Sequence, residues 1–247
     1  LIWTLERTFN ITSDLTYVEL LNTDHPLLRK LAENAPGTYQ HSLQVANIAE
    51  ALAEKTDANG LKVRVGALFH DIGKINNPEY FAENVERSQS PHRYATPAES
   101  AAIIIAHVTD GLQMADEYRL PKEVKDFIAT HHGNSRVEYF YRKHIELYPE
   151  SAAEAEIKFR YPGQPPRTKE EAILMIADSI EAASRSLDNP TPENLEKLVE
   201  TIIAQKIQDH QLSHSPLTFR NLNVIKKEVH RILISIYHGR VKYPEPA

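Results

Sequence analysis

The 247-residue chain contains no cysteine. Disulfides and thiolate metal sites are closed to it, so any bound metal must be held by nitrogen and oxygen. Tryptophan occurs once, methionine twice and glycine eight times, and neither a low-complexity tract nor a solenoid-period repeat is present. A basic excess is missing too. The formal charge is −6 and the isoelectric point about 6.1, which excludes the broad cationic surface that grips a nucleic-acid polymer. No apolar run reaches the roughly 18 residues of a membrane span, and the first residues do not read as a signal peptide. Hydrophobic residues at 41% and charged residues at 25% suit a soluble globular body, and the length suits one large domain. What the chain does have is histidine, 12 of them.

Helical periodicity dominates from about Pro26, and hairpin signals are nearly absent, which predicts an all-α fold. Residues 1–22 read as a linker or entry helix and 23–247 as the domain. Pro36 and Gly37 break the chain, Thr38 can cap a helix, and Leu43, Ala46, Ile48, Ala49 and Leu52 supply its apolar face up to a stop at Asn59-Gly60. Further helices are expected at about 61–73, 98–117, 121–132, 136–148, 169–187, 192–208 and 217–238, the last capped by Gly239. A loop spans 76–97. Residues 149–167 contain four prolines and read as a long surface loop.

Histidine and aspartate recur inside the inward stripes of these helices, where an uncompensated polar atom is costly. His41 extends the stripe of Val45 and Ile48; His70-Asp71 end the stripe of Val63 and Ala67. His107 follows Ile103 and Ile104, and His131-His132 follow Phe127 and Ile128, at the same spacings of three and four. Asp178 shares a face with Leu174, Glu181 and Arg185. A metal would compensate such a set, and imidazole with carboxylate suits iron, manganese, cobalt or zinc. Taken singly, each of these histidines is more often hydrogen-bonded core than ligand, and Glu181 with Arg185 fits a plain surface ion pair.

The order His41, then His70-Asp71-Ile72-Gly73-Lys74, then Asp178 resembles the signature of the HD phosphohydrolase superfamily. The additional His107 and His131-His132 resemble its binuclear members. That resemblance implies an HD-type helical bundle with a binuclear site: His41, His70, Asp71 and Asp178 for one transition-metal ion, and Asp71, His107, His131 and His132 for the other, Asp71 bridging. Iron is the metal implied first, manganese second. Asn22-Thr23-Asp24-His25-Pro26-Leu27-Leu28, Ala35 to Ser42, Pro78 to Phe81, Pro91-His92, Thr96-Pro97, His131-His132-Gly133 and Asp178 to Arg185 are similar to the seven-transmembrane HD family. The paired histidines are followed by Gly133-Asn134-Ser135 and not by glutamate, a departure from the HD-GYP branch that cleaves cyclic di-GMP.

The resemblance implies a phosphodiesterase that hydrolyses cyclic di-AMP to pApA with a metal-bridging hydroxide as nucleophile. It implies a cytoplasmic domain of a bacterial membrane protein whose membrane segments lie outside these residues, and it gives no oligomeric state. Asp71 and Lys74 become the catalytic candidates, Lys74 offsetting phosphate charge. Tyr80, Phe81, His92, Arg93 and Arg185 are candidates for substrate contacts. Hydrolysis of cyclic di-GMP, or of another nucleotide, is the competing enzymatic reading; a non-hydrolysing cyclic-dinucleotide sensor is the competing reading of another class.

Overall fold

The computed structural model describes residues 12–86 and 89–238. Among them are eleven α-helices joined by turns and short 3-10 segments, with no β-strand beyond one isolated pairing of Arg136 with Arg160. The helices are α1 (Asp14–Leu20), α2 (Pro26–Asn34), α3 (Pro36–Lys55), α4 (Gly60–Phe69), α5 (Pro97–Glu117), α6 (Lys122–Thr130), α7 (Glu138–Leu147), α8 (Ala152–Lys158), α9 (Lys169–Ser184), α10 (Pro192–Gln208) and α11 (Phe219–His238). None is long and apolar enough to cross a membrane. The all-α expectation holds, and its corrections are local.

Helix α3 starts at Pro36, two residues before the expected cap, because the fixed φ of proline suits a first helical turn. Thr38 is buried inside it and donates its hydroxyl to Glu83 Oε1 at 3.0 Å. Asn59 opens α4, its side chain accepting from the Lys62 amide at 2.9 Å. That helix ends at Phe69, and Ile72–Asn76 continues as a 3-10 segment. Apolar spacing of three is shared by both forms, so periodicity alone ran them together. Thr96 and Glu99 close a reciprocal capping box on α5. Residues 239–247, which include the expected cap Gly239, lie outside the described residues.

The stretch 149–167 is not a surface loop. It forms a 3-10 turn at Pro149–Ser151 and then α8, and it buries Ala155, Phe159 and Tyr161. Phe159 and Ala155 join Phe140 and Ala101 in a small second core under α5 and α7. Burying an aromatic side chain contributes on the order of 2 kcal/mol, enough to fold a proline-rich segment onto the body.

The main core lies where α3 packs against α4, α9, α2 and α11. Val45, Ile48, Ala49 and Leu52 of α3 meet Ile173, Leu174, Ile176 and Ala177 of α9, all fully buried. Tyr17 and Leu20 of α1 are buried in the same cluster, so the described part of the entry segment docks as a helix. The 3-10 segment Ile72–Asn76 packs on α5. Five elements thereby converge on one polar point beside the apolar core.

Candidate metal centre

That point is built around Asp71. The carboxylate leaves the end of α4 with only 1% of its surface exposed. Gly73 permits this placement: a Cβ there would sit 1.8 Å from the His107 carbonyl oxygen and 2.5 Å from the Gly111 amide. Only glycine lets the segment carrying Asp71 lie directly on the helix carrying His107.

Asp71 Oδ2 faces one group of donors and Oδ1 another. His70 Nε2 lies 3.2 Å and His41 Nε2 3.6 Å from Oδ2. His107 Nε2 lies 3.4 Å and His131 Nε2 3.6 Å from Oδ1. Asp178 Oδ1 sits 3.0 Å from His41 Nε2 and 3.6 Å from His70 Nε2, while its Oδ2 is 3.9 Å from His132 Nδ1. The seven predicted ligands are thus brought together as two groups: His41, His70, Asp71 and Asp178, and His107, His131 and His132. All but the half-buried His132 are buried.

The opposite edges of the rings fix which nitrogen faces inward. The Nδ1 of His70, His107 and His131 meets the backbone carbonyls of Ala67, Ile104 and Ile128 at 2.7, 2.5 and 2.8 Å. A carbonyl only accepts, so each Nδ1 carries the proton, and Nε2 presents a lone pair when the ring is neutral. His41 Nδ1 donates to Glu181 Oε2 at 2.5 Å. Such outer partners orient a ligating imidazole and raise its basicity.

The donor set fits a cation. His107 Nε2 and His131 Nε2 face each other at 3.1 Å, so two lone pairs would repel unless a positive charge stands between or beside them. His70 Nε2 and both Asp71 oxygens are buried without an aligned hydrogen bond. Lys74 Nζ lies 2.8 Å from Asp71 Oδ2, an ion-pair contact outside hydrogen-bond alignment. Orphaned buried polar atoms in this density are costly, and coordination would satisfy them.

Electrostatics separates the two groups. Burial works against a charged His70, but the Asp71 and Asp178 carboxylates reverse it and lift the imidazole to about 10. Burial likewise opposes His41 ionisation, and its bonds to Asp178 and Glu181 carry it upward. Burial pushes His107 down to about 3 and His132 well below the usual histidine range. Against a burial effect of opposite sign, His70 and Lys74 hold Asp71 well below the usual carboxylate range, and His41 and His70 do so for Asp178. One group is rich in charge, and His107 and His132 of the other favour the neutral ring.

The remaining candidates form the surround. Lys74 also reaches Glu83 Oε1 at 2.8 Å and lies 4.9 Å over the Phe81 ring. Phe81 is buried edge-on to His107 at 5.7 Å. Tyr80 is half-buried, and its carbonyl accepts from His92 Nε2 at 2.8 Å; His92 packs on Phe140. Arg93 is exposed. Arg185 gives its Nε to Glu181 Oε1 at 2.6 Å, one bond removed from His41. Glu83, Glu181 and Tyr161 escaped the sequence reading. Glu181 is 5% exposed, no surface partner, and Tyr161 stacks on His132 with ring centroids 4.3 Å apart.

Comparison with known proteins supplies a family. Residues 38–183 match the HD domain family. The cyclic-di-AMP phosphodiesterase PgpH of Bacillus subtilis (strain 168) is 48% identical over 240 residues, 97% of this chain and 33% of that protein. PgpH of Listeria monocytogenes is 41% identical over 240 residues, again 97% of this chain and 33% of that protein. The chain therefore spans about a third of the length of these relatives. The crystal structure of the Listeria monocytogenes PgpH HD domain in complex with cyclic-di-AMP superposes with a TM-score of 0.83 at 42% identity, covering 89% of this chain and all of that one. The family match spans more than half of the chain, encloses all seven clustered residues and begins three residues before His41: the chain belongs to the HD domain family.

Proposed function

We propose that this domain is a metal-dependent phosphodiesterase that hydrolyses cyclic di-AMP to pApA, with two transition-metal ions shared across Asp71. The observation that carries the reading is the split of the Asp71 carboxylate, one oxygen toward His41 and His70 and the other toward His107 and His131. His41, His70, Asp71 and Asp178 would hold one ion and Asp71, His107, His131 and His132 the other. When bound, paired ions of this kind lower the pKa of water and offset charge on phosphoryl oxygens. Iron and manganese suit a set of imidazole and carboxylate donors with no thiolate.

The chain's own residues prepare the site. Glu181 and the three backbone carbonyls hold the rings with their lone pairs inward. Lys74, kept in place by Glu83, sets a fixed positive charge beside the reacting group. Phe81 packs edge-on against His107 and Tyr161 stacks on His132, and apolar rings beside the donors strengthen the charges there. The similarity to two cyclic-di-AMP phosphodiesterases supports that dinucleotide as substrate.

The test is direct. Purified protein loaded with manganese or iron should convert cyclic di-AMP to pApA and act more slowly on cyclic di-GMP; no product from either, at stoichiometric metal, sinks the assignment. Lys74→Ala should keep its metal and lose about 100-fold or more in kcat, and normal turnover would remove Lys74 from the machinery.

A further inference from the structure

The cations around the centre are mostly spent on carboxylates. Lys74 serves Asp71 and Glu83, and Arg185 serves Glu181. Arg160 serves Glu156, Asp209 and the Asn134 carbonyl. Lys206 differs. It lies on the inward stripe of α10, three and four residues beyond the buried Ile203 and Ile202 and seven beyond Val199. That stripe packs against α9, the helix that carries Asp178. A lysine at a core-facing position is half-buried there, and among the described residues its ammonium has no hydrogen-bond or ion-pair partner.

The end of α10 is fastened to the loop that follows the paired histidines. The Gln211 amide bonds the Lys206 carbonyl at 2.9 Å. The Gln211 side chain takes Asn134 Oδ1 at 2.7 Å and accepts from the Asn134 amide at 3.3 Å. It also fills the space a Cβ of Gly133 would need, and Gly133 stands at φ +56°. Lys206 is therefore held beside the His131-His132 turn by a fixed framework. Burial draws its ammonium below the usual lysine range, with Asp178 and Asp209 the only carboxylates opposing that. A cation in the last turn does suit the helix dipole, but an outward side chain would serve that equally well.

Resting on the function proposed above, we infer that Lys206 binds the second phosphodiester of the cyclic dinucleotide, the one that is not being cleaved. A cyclic dinucleotide carries two phosphate charges. The reacting one belongs between the two groups of candidate ligands around Asp71, and Lys206 stands off that point, on the helix packed against the one that carries Asp178 and linked through Gln211 to the Gly133-Asn134 turn. The incoming phosphate supplies the counter-charge this ammonium lacks, as a charge-assisted hydrogen bond. Lys206 is then a residue that selects dinucleotides over simple phosphodiesters.

The experiment compares cyclic di-AMP with bis(p-nitrophenyl) phosphate, which has a single phosphodiester, on the manganese-loaded chain. Lys206→Met should raise KM for cyclic di-AMP about 10- to 100-fold, and the loss in kcat/KM on cyclic di-AMP should exceed that on the small diester at least tenfold. Metal content should stay at the parent level, and Lys206→Arg should recover most of the affinity. Equal losses on both substrates, a fall in metal content, or an unchanged KM for cyclic di-AMP would each overturn the assignment. A parent protein that cleaves the small diester and neither binds nor cleaves cyclic di-AMP would overturn the proposed function first, and this role with it.

Discussion

Glu181 shows how much one buried side chain decides. Its two oxygens hold His41 Nδ1 at 2.5 Å and Arg185 Nε at 2.6 Å, so one carboxylate sets the tautomer of a candidate ligand and neutralises a guanidinium. Glu181→Gln keeps the shape and weakens both bonds. Metal affinity should fall about 10- to 100-fold, as for other residues that orient a ligating histidine, with little change in helix content; competition against a chelator measures it, and an unaltered affinity would make Glu181 a bystander. Proton balance follows from the same ring. In the metal-free protein, carboxylates draw His41 upward and lift His70 to about 10. A protonated ring must give up its proton to ligate, so binding releases protons and affinity weakens as pH falls through the neutral range. The logarithm of the apparent affinity should climb with a slope between about one and two per pH unit; a flat profile would show the rings already neutral.

At the scale of the element, the segment Ile72–Asn76 matters most, because it turns Asp71 away from the helix and onto α5. Gly73→Ala pushes a methyl group into the His107 carbonyl, and backbone cannot yield as a flexible side chain does. The expected cost is about 1–3 kcal/mol, seen as a lower melting temperature together with lost activity, since Asp71 and His107 are forced apart. Wild-type melting and turnover would show that the contact yields. This segment also marks where the sequence was legible. The seven candidate ligands could be named because each ends or extends an apolar stripe within one helix, and because the run from His70 to Lys74 resembles a known signature. Glu181 could not, since its i,i+4 spacing to Arg185 is satisfied locally and nothing local points to His41, 140 residues away. Tyr161 was masked by the prolines around it; its burial against His132 is a tertiary contact that overrides a loop-like composition.

In the whole molecule, the candidate ligands come from α3, the end of α4, α5, the end of α6 and α9, spanning residues 41 to 178. Those elements are also the walls of the core, so whatever occupies the centre bears on the stability of the fold. Without a cation, the Nε2 atoms of His107 and His131 face each other at 3.1 Å and Asp71 lacks an aligned donor. A metal that binds the folded chain stabilises it by about 4 kcal/mol per site when free metal is a thousandfold above Kd, less whatever affinity the unfolded histidines retain. For a chain of this size each kcal/mol moves the melting temperature by about 2–4 °C, so each ion stripped should lower it by roughly 10 °C. Manganese or iron should restore it and magnesium should not, because imidazole-rich sites disfavour magnesium. If the chelated and metal-loaded proteins melt together in a thermal scan, the clustered histidines are satisfied by protons alone, and the centre is not a metal site.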